Sequence, residues 1–188
     1  MPLPFDGEWF VLPDKSGHHR KKSFAAYAFD VVRRIDDRMA SGKGTQLEEY
    51  YAFGQPILAQ ADGVVVDVDD DYPDNEPGKI GGFEEANCVT VDYGGGVLAD
   101  YGHCRRHSAQ VKPGDRVARG TKLAEVGNSG ASAVPHLHFS MCDWGYDSIR
   151  GRFHGEVKRG KSWVAFDGQD LEQGTFVRNR VEPPAAKH

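Results

Sequence analysis

The 188-residue chain is poor in the features that announce several common protein classes. It has three cysteines, Cys88, Cys104 and Cys142, with no Cys-x-x-Cys spacing. That excludes a thiolate-built structural zinc site and leaves one disulfide at most. Cys88 and Cys142 stand in alternating apolar runs, where a free thiol behaves as a small buried hydrophobe. No run of about 20 apolar residues, the length of a membrane-crossing helix, is present. Cations do not dominate: 23 Lys and Arg face 28 Asp and Glu, for a net charge of −5. The one basic run is Arg20-Lys21-Lys22, too little for the electrostatic footprint of a nucleic-acid binder. Met1-Pro2-Leu3-Pro4-Phe5 lacks the basic and apolar regions of a secretory signal. Heptads and long apolar stripes are missing too, and a monomer is expected.

Turn formers are abundant, with 23 Gly and 10 Pro, as suits a turn-rich β protein. Tyr27–Val32 reads as a strand carrying an acid, Asp30. A short helical turn fits Leu47-Glu48-Glu49-Tyr50. From Pro56 onward the pattern is β: strands are expected at Pro56–Ala61, Val64–Val68, Cys88–Tyr93, Val97–Tyr101, Lys122–Val126 and Leu137–Cys142. Further β-like pieces lie at Trp163–Phe166 and Thr175–Val177. Gly94-Gly95-Gly96 marks a hairpin with positive φ. Residues 1–17 read as an extended arm, 69–87 as an acidic surface loop without EF-hand spacing, and 178–188 as a flexible tail. With no repeats and no clear linker, 1–188 is expected to form one domain. The fold class is all-β: a compact antiparallel sheet, or barrel-sandwich hybrid, with long loop insertions.

Pro135-His136-Leu137-His138-Phe139 is the most informative segment. On a strand, His136 and His138 share one face while Leu137 and Phe139 point into apolar packing. The small-residue run 127–135 feeds directly into it, and small residues let a loop approach a substrate or another backbone closely. Tyr101-Gly102-His103 ends another strand. An acid at Asp30, between Ala28-Phe29 and Val31-Val32, is costly unless paired or metal-bound. Either His18 or His19, in the preceding segment, could join it.

In combination these stretches resemble the M23 family of zinc metallopeptidases, the LytM or lysostaphin-like peptidoglycan endopeptidases. The resemblance rests on an upstream His followed by Asp30, on Tyr101-x-His103, and on His136-x-His138. It is reinforced by Val111–Gly120, which is similar to the family's Val-x-x-Gly-Asp-x-Val-x-x-Gly turn, and by Gly127-Asn128-Ser129-Gly130. It covers residues 17–142, and the spacing from His19 to Asp30 is similar to that of a long-loop branch. The resemblance implies zinc ligands His19, Asp30 and His138, with His18 exposed, and catalytic histidines His103 and His136. Two imidazoles and one carboxylate would leave a fourth zinc position for the attacking water. It further implies hydrolysis of peptide cross-bridges in bacterial peptidoglycan and an extracytoplasmic location.

Other residues have plainer readings. Tyr101 fits a packed core aromatic equally well; Asn87 and Asn128 read as turn residues, and His107 and His154 as surface histidines. His188 is terminal. The alternative function is an M23-like binding or regulatory module whose groove is plugged by the 69–87 loop or the N-terminal arm. A biotinyl or lipoyl carrier domain shares the Gly-Asp-x-Val-x-x-Gly turn. It would need a modifiable lysine flanked by methionines, and none stands in such a setting.

Overall fold

Alternating apolar and polar residues make strands with one buried face, and strands are the dominant regular structure among the described residues. The computed structural model describes residues 1–14 and 25–180. Twelve strands follow in chain order: β1 (Trp9–Val11), β2 (Phe29–Val32), β3 (Pro56–Leu58), β4 (Gly63–Asp69), β5 (Cys88–Asp92), β6 (Leu98–Gly102), β7 (Arg116–Val117), β8 (Lys122–Glu125), β9 (Leu137–Cys142), β10 (Phe153–Arg159), β11 (Ser162–Gln169) and β12 (Phe176–Arg178). Two single 3-10 turns, Leu47–Glu49 and Phe83–Glu85, are the helical elements among the described residues.

Ten strands form one sheet in the order β11-β10-β12-β1-β2-β9-β6-β5-β4-β7, and β3 pairs with β8 in a separate ribbon. Every pairing is antiparallel. The all-β expectation holds, and β9 has the expected bounds. The β5–β6 connection is the Gly94-Gly95-Gly96 turn, with φ of 81°, 64° and 82°. These values are open to glycine and strained for other residues.

One face of the central strands carries Val31, Leu137, Phe139, Tyr101, Val89, Val91 and Val65, all nearly buried. The β3–β8 ribbon adds Ile57, Leu123 and Ala124 to the same core. Aromatic rings meet edge to face or tilted there: Tyr101 with Phe139 at 5.2 Å, Phe139 with Phe153 at 5.9 Å and Phe29 with Phe153 at 5.6 Å. Each such side chain contributes about 1.5–3 kcal/mol by leaving water.

The N-terminal segment differs from a free arm. Leu3, Phe5, Trp9 and Val11 are in the core, and Trp9–Val11 is hydrogen-bonded between β2 and β12. These residues are committed to the fold and cannot plug a groove. All three cysteines are free thiols, Cys104 buried and Cys88 and Cys142 half-buried.

Candidate active site

The site begins with strand register. Asp30 on β2 lies opposite His138 on β9, and His138 lies opposite Gly102 on β6. The three positions form a row across adjacent strands on the face opposite the core. Their chain neighbours Phe29, Phe139 and Tyr101 point into the core and pin the row in place. At Gly102 a Cβ would meet the His138 side chain at 3.5 Å, an ordinary van der Waals contact, so the strands pack closely over that ring without demanding glycine.

Asp30 Oδ1 lies 2.8 Å from His138 Nδ1 and 3.6 Å from His136 Nε2. The rings of His103 and His136 are 4.7 Å apart between centroids, and those of His103 and His138 are 5.7 Å apart. Four of the five residues expected from sequence therefore meet at one point. The fifth, His19, lies outside the described residues, as does its rival His18. His136 immediately precedes β9 rather than lying within it, and is only 9 % exposed.

Two carbonyls fix the tautomers of the loop histidines. His103 Nδ1 is 2.8 Å from the Ser129 carbonyl oxygen, and His136 Nδ1 is 2.8 Å from that of Val134. A carbonyl oxygen only accepts, so both Nδ1 atoms carry hydrogen and both rings present Nε2. Burial, reinforced by His136 and His138, pushes the His103 imidazole well below its ordinary pKa. For His136 burial acts downward too, but its contact with Asp30 outweighs it and the net direction is up. Burial likewise disfavours the charge on Asp30. The hydrogen bonds and positive character of His136 and His138 more than compensate, holding its carboxyl far below the usual carboxylate range.

The loop carrying these carbonyls, residues 127–136, is compact because its glycines permit it. A Cβ on Gly127 would fall 2.4 Å from the Arg105 backbone and from Asp74 Oδ1. Gly130 has φ +68°, and a Cβ there would strike Ala86 at 2.6 Å. The small residues thus let the loop close on the neighbouring 70–87 segment. That segment is more than a surface loop: Asp74 Oδ1 accepts the Asn128 N–H at 2.6 Å, and Asn75 Nδ2 donates to the carbonyls of Gly130 and Ser132.

Asn87 and Asn128 are more than turn formers, for both are fully buried. The Asn87 amide bonds both the N–H and the carbonyl of Tyr72, and also the Cys104 carbonyl. Asn128 bonds the Asn75 carbonyl and Ser132 Oγ. Tyr101 is a core residue, its hydroxyl 2.7 Å from that of Tyr93. His107 is at the surface beside Asp71, and His154 is half-buried. Sequence reading missed Asp74, Asn75 and Ser132. The need for glycine at 127 and 130 was the available sign that something must press against that loop.

One carboxylate oxygen and one imidazole nitrogen side by side, with further ring nitrogens around them, are the donor types zinc takes. The set is chemically compatible with that metal. Among the described residues no group of three such side chains stands in metal-holding array.

The profile of peptidase family M23 matches residues 41–149, more than half of the chain. The chain belongs to peptidase family M23. Peptidoglycan DD-endopeptidase ShyA of Vibrio cholerae is 28% identical over 189 residues, covering 94% of this chain and 38% of that protein. Peptidoglycan DD-endopeptidase ShyC of the same organism is 28% identical over 137 residues, covering 68% of this chain and 29% of that one. The M23 chain thus spans well under half the length of these curated relatives. Its fold is shared with pseudoalterin, an M23 metalloprotease from the deep sea (TM-score 0.55, 15% identity, 92% of this chain and 98% of that one). It is shared too with a catalytic-domain variant of the prophage-encoded M23 protein EnpA from Enterococcus faecalis (TM-score 0.51, 19% identity, 79% and 93%).

Proposed function

We propose that this chain is a zinc-dependent metallo-endopeptidase that hydrolyses peptide cross-bridges of bacterial peptidoglycan. The observation that carries the reading is the convergence of Asp30, His138, His136 and His103 on the solvent side of the central sheet, in a member of family M23. His19, Asp30 and His138 are the residues that would hold zinc. When bound, zinc acidifies water and polarises a carbonyl. The remaining work falls to the chain. His103 and His136, anchored through Nδ1–H, offer Nε2 to a reacting water or amide nitrogen and move a proton across that hydrogen bond. In protonated form either ring can donate to an oxygen that gains negative charge.

The substrate class follows from the relatives, which are peptidoglycan DD-endopeptidases by name. Peptidoglycan lies outside the cytoplasm, so the protein works there. No helix among the described residues is long and apolar enough to cross a membrane. Residues 1–188 act as one peptidase domain, as a monomer.

Mass spectrometry of peptidoglycan fragments after incubation with zinc-loaded protein tests the reading, with His136→Ala as control. New cross-bridge termini with the unaltered protein alone are expected, and they name the bond. Intact cross-bridges with zinc bound would defeat the peptidase reading and favour a binding module.

A further inference from the structure

The two loop histidines are held by main-chain carbonyls, so whatever holds those carbonyls sets where Nε2 points. Ser129, whose carbonyl accepts the His103 Nδ1–H hydrogen bond, lies between Asn128 and Gly130. Both flanking residues are tied to the 70–87 segment. Asn128 N–H donates to Asp74 Oδ1 at 2.6 Å, the Asn128 side-chain amide donates to the Asn75 carbonyl at 3.0 Å, and Asn75 N–H donates to the Asn128 carbonyl at 3.0 Å. Asp74 and Ser129 also form a β-bridge. On the other side of Gly130, Asn75 Nδ2 donates to the Gly130 carbonyl at 2.7 Å and to the Ser132 carbonyl at 3.0 Å. Ser132 Oγ then lies 3.0 Å from the Val134 carbonyl and 3.1 Å from His136 Nδ1. Asp74 Oδ2 completes the brace by accepting the Arg106 N–H at 3.2 Å, three residues past His103.

We infer that Asp74 and Asn75 are positioning residues: they clamp the 128–132 backbone so that the Ser129 and Val134 carbonyls hold His103 and His136 in the Nδ1–H tautomer, their rings beside Asp30 and His138. The inference rests on the peptidase reading for its consequence in turnover, though not for the hydrogen bonds themselves. Among the described residues the bonds of Asp74 and Asn75 end on 128–132 and Arg106. They reach neither Asp30 nor His138, whose places are fixed by the β2–β9 ladder. The clamp therefore acts on the catalytic histidines and not on the metal ligands. Outer hydrogen bonds of this kind matter because small displacements of a reacting group are costly.

The test compares Asn75→Ala, Asp74→Ala and the conservative Asp74→Asn, which retains an acceptor for Asn128. Three quantities are read: turnover of a cross-linked muropeptide, zinc per chain, and the ¹⁵N signals of the histidine rings. In both alanine variants kcat is expected to fall about 10- to 100-fold, with KM within about twofold. Zinc content stays unchanged. The ring signals of His103 and His136 leave the fixed Nδ1–H pattern while those of His138 stay, and Asp74→Asn recovers most of the turnover. Unchanged His103 and His136 signals would overturn the inference. So would a common shift of all three rings with loss of zinc, which is the mark of general loosening. Should the unaltered protein cleave no cross-bridge at all, the proposed function fails, and the ring signals still decide the clamp.

Discussion

Among the described residues two pairs meet at the site, and different parts of the fold hold them. Asp30 and His138 sit on paired strands, their spacing set by a continuous ladder with Phe29, Leu137 and Phe139 buried beneath. His103 and His136 sit just beyond strand ends, held through Nδ1 by carbonyls of a glycine-containing loop, with Ser132 Oγ also beside His136. The sheet supplies a rigid anchor for the two residues proposed to share one metal. The loops supply orientation, which is local and can be disturbed alone. A positive φ of 60° at His103 shows what the loop position demands, because few non-glycine residues adopt it.

Removing a strand-borne ligand should break the site outright. Asp30→Ala or His138→Ala is expected to lose zinc on dialysis and to reduce cross-bridge hydrolysis to background, read by metal analysis and fragment release. Chelation of the unaltered protein should do the same, reversibly. Removing a loop-borne histidine should separate the two functions: His103→Ala and His136→Ala keep zinc and lose about 10²- to 10⁴-fold in kcat. Full turnover in His103→Ala would remove that residue from the mechanism. Beneath the strand pair, Phe139→Ala is expected to cost about 3–5 kcal/mol in denaturant unfolding, through the cavity it leaves among Phe153, Tyr101 and their neighbours. In the loop, Gly130→Ala combines a left-handed φ with a collision at Ala86. About 1–2 kcal/mol of strain is expected there, with turnover lowered and zinc retained. Trp144, 60 % exposed, marks the other end of the scale. Trp144→Ala should change stability by less than about 0.5 kcal/mol in the same unfolding assay.

The strand-borne half of this contrast was legible in the sequence. Alternation located β9 and implied one polar and one apolar face, which is how His138 and Phe139 are disposed, while His136 stands just before the strand. An acid among apolar residues at position 30 was expected to be paired or metal-bound, and it lies against His138. The loop-borne half was legible only as residue identities. Nothing local in Asp74-Asn75 distinguishes it from any acidic turn, because its partners lie more than thirty positions away along the chain, and those in the 128–132 loop more than fifty. Burial of Asn87 and Asn128 has the same origin: turn-prone residues become fully hydrogen-bonded interior ones once two distant segments close on each other. Strand β10 escaped notice because Gly155 and its charged residues dilute an alternation of Phe153, Gly155 and Val157 that the structure nonetheless uses. Strand β1 is three residues long in a Pro- and Gly-bearing stretch, too short for a period to show.

The three unpaired sulfurs have a further consequence. A thiol attacks, or is oxidised, chiefly as its thiolate. Burial, with nearby Asp100 and Asp69 among the contributing charges, pushes Cys88 up; burial also raises Cys104 and Cys142. None of the three is a ready nucleophile, and no crosslink contributes to the fold. The fold therefore stands without a disulfide, and its three sulfurs are held toward the less reactive thiol form.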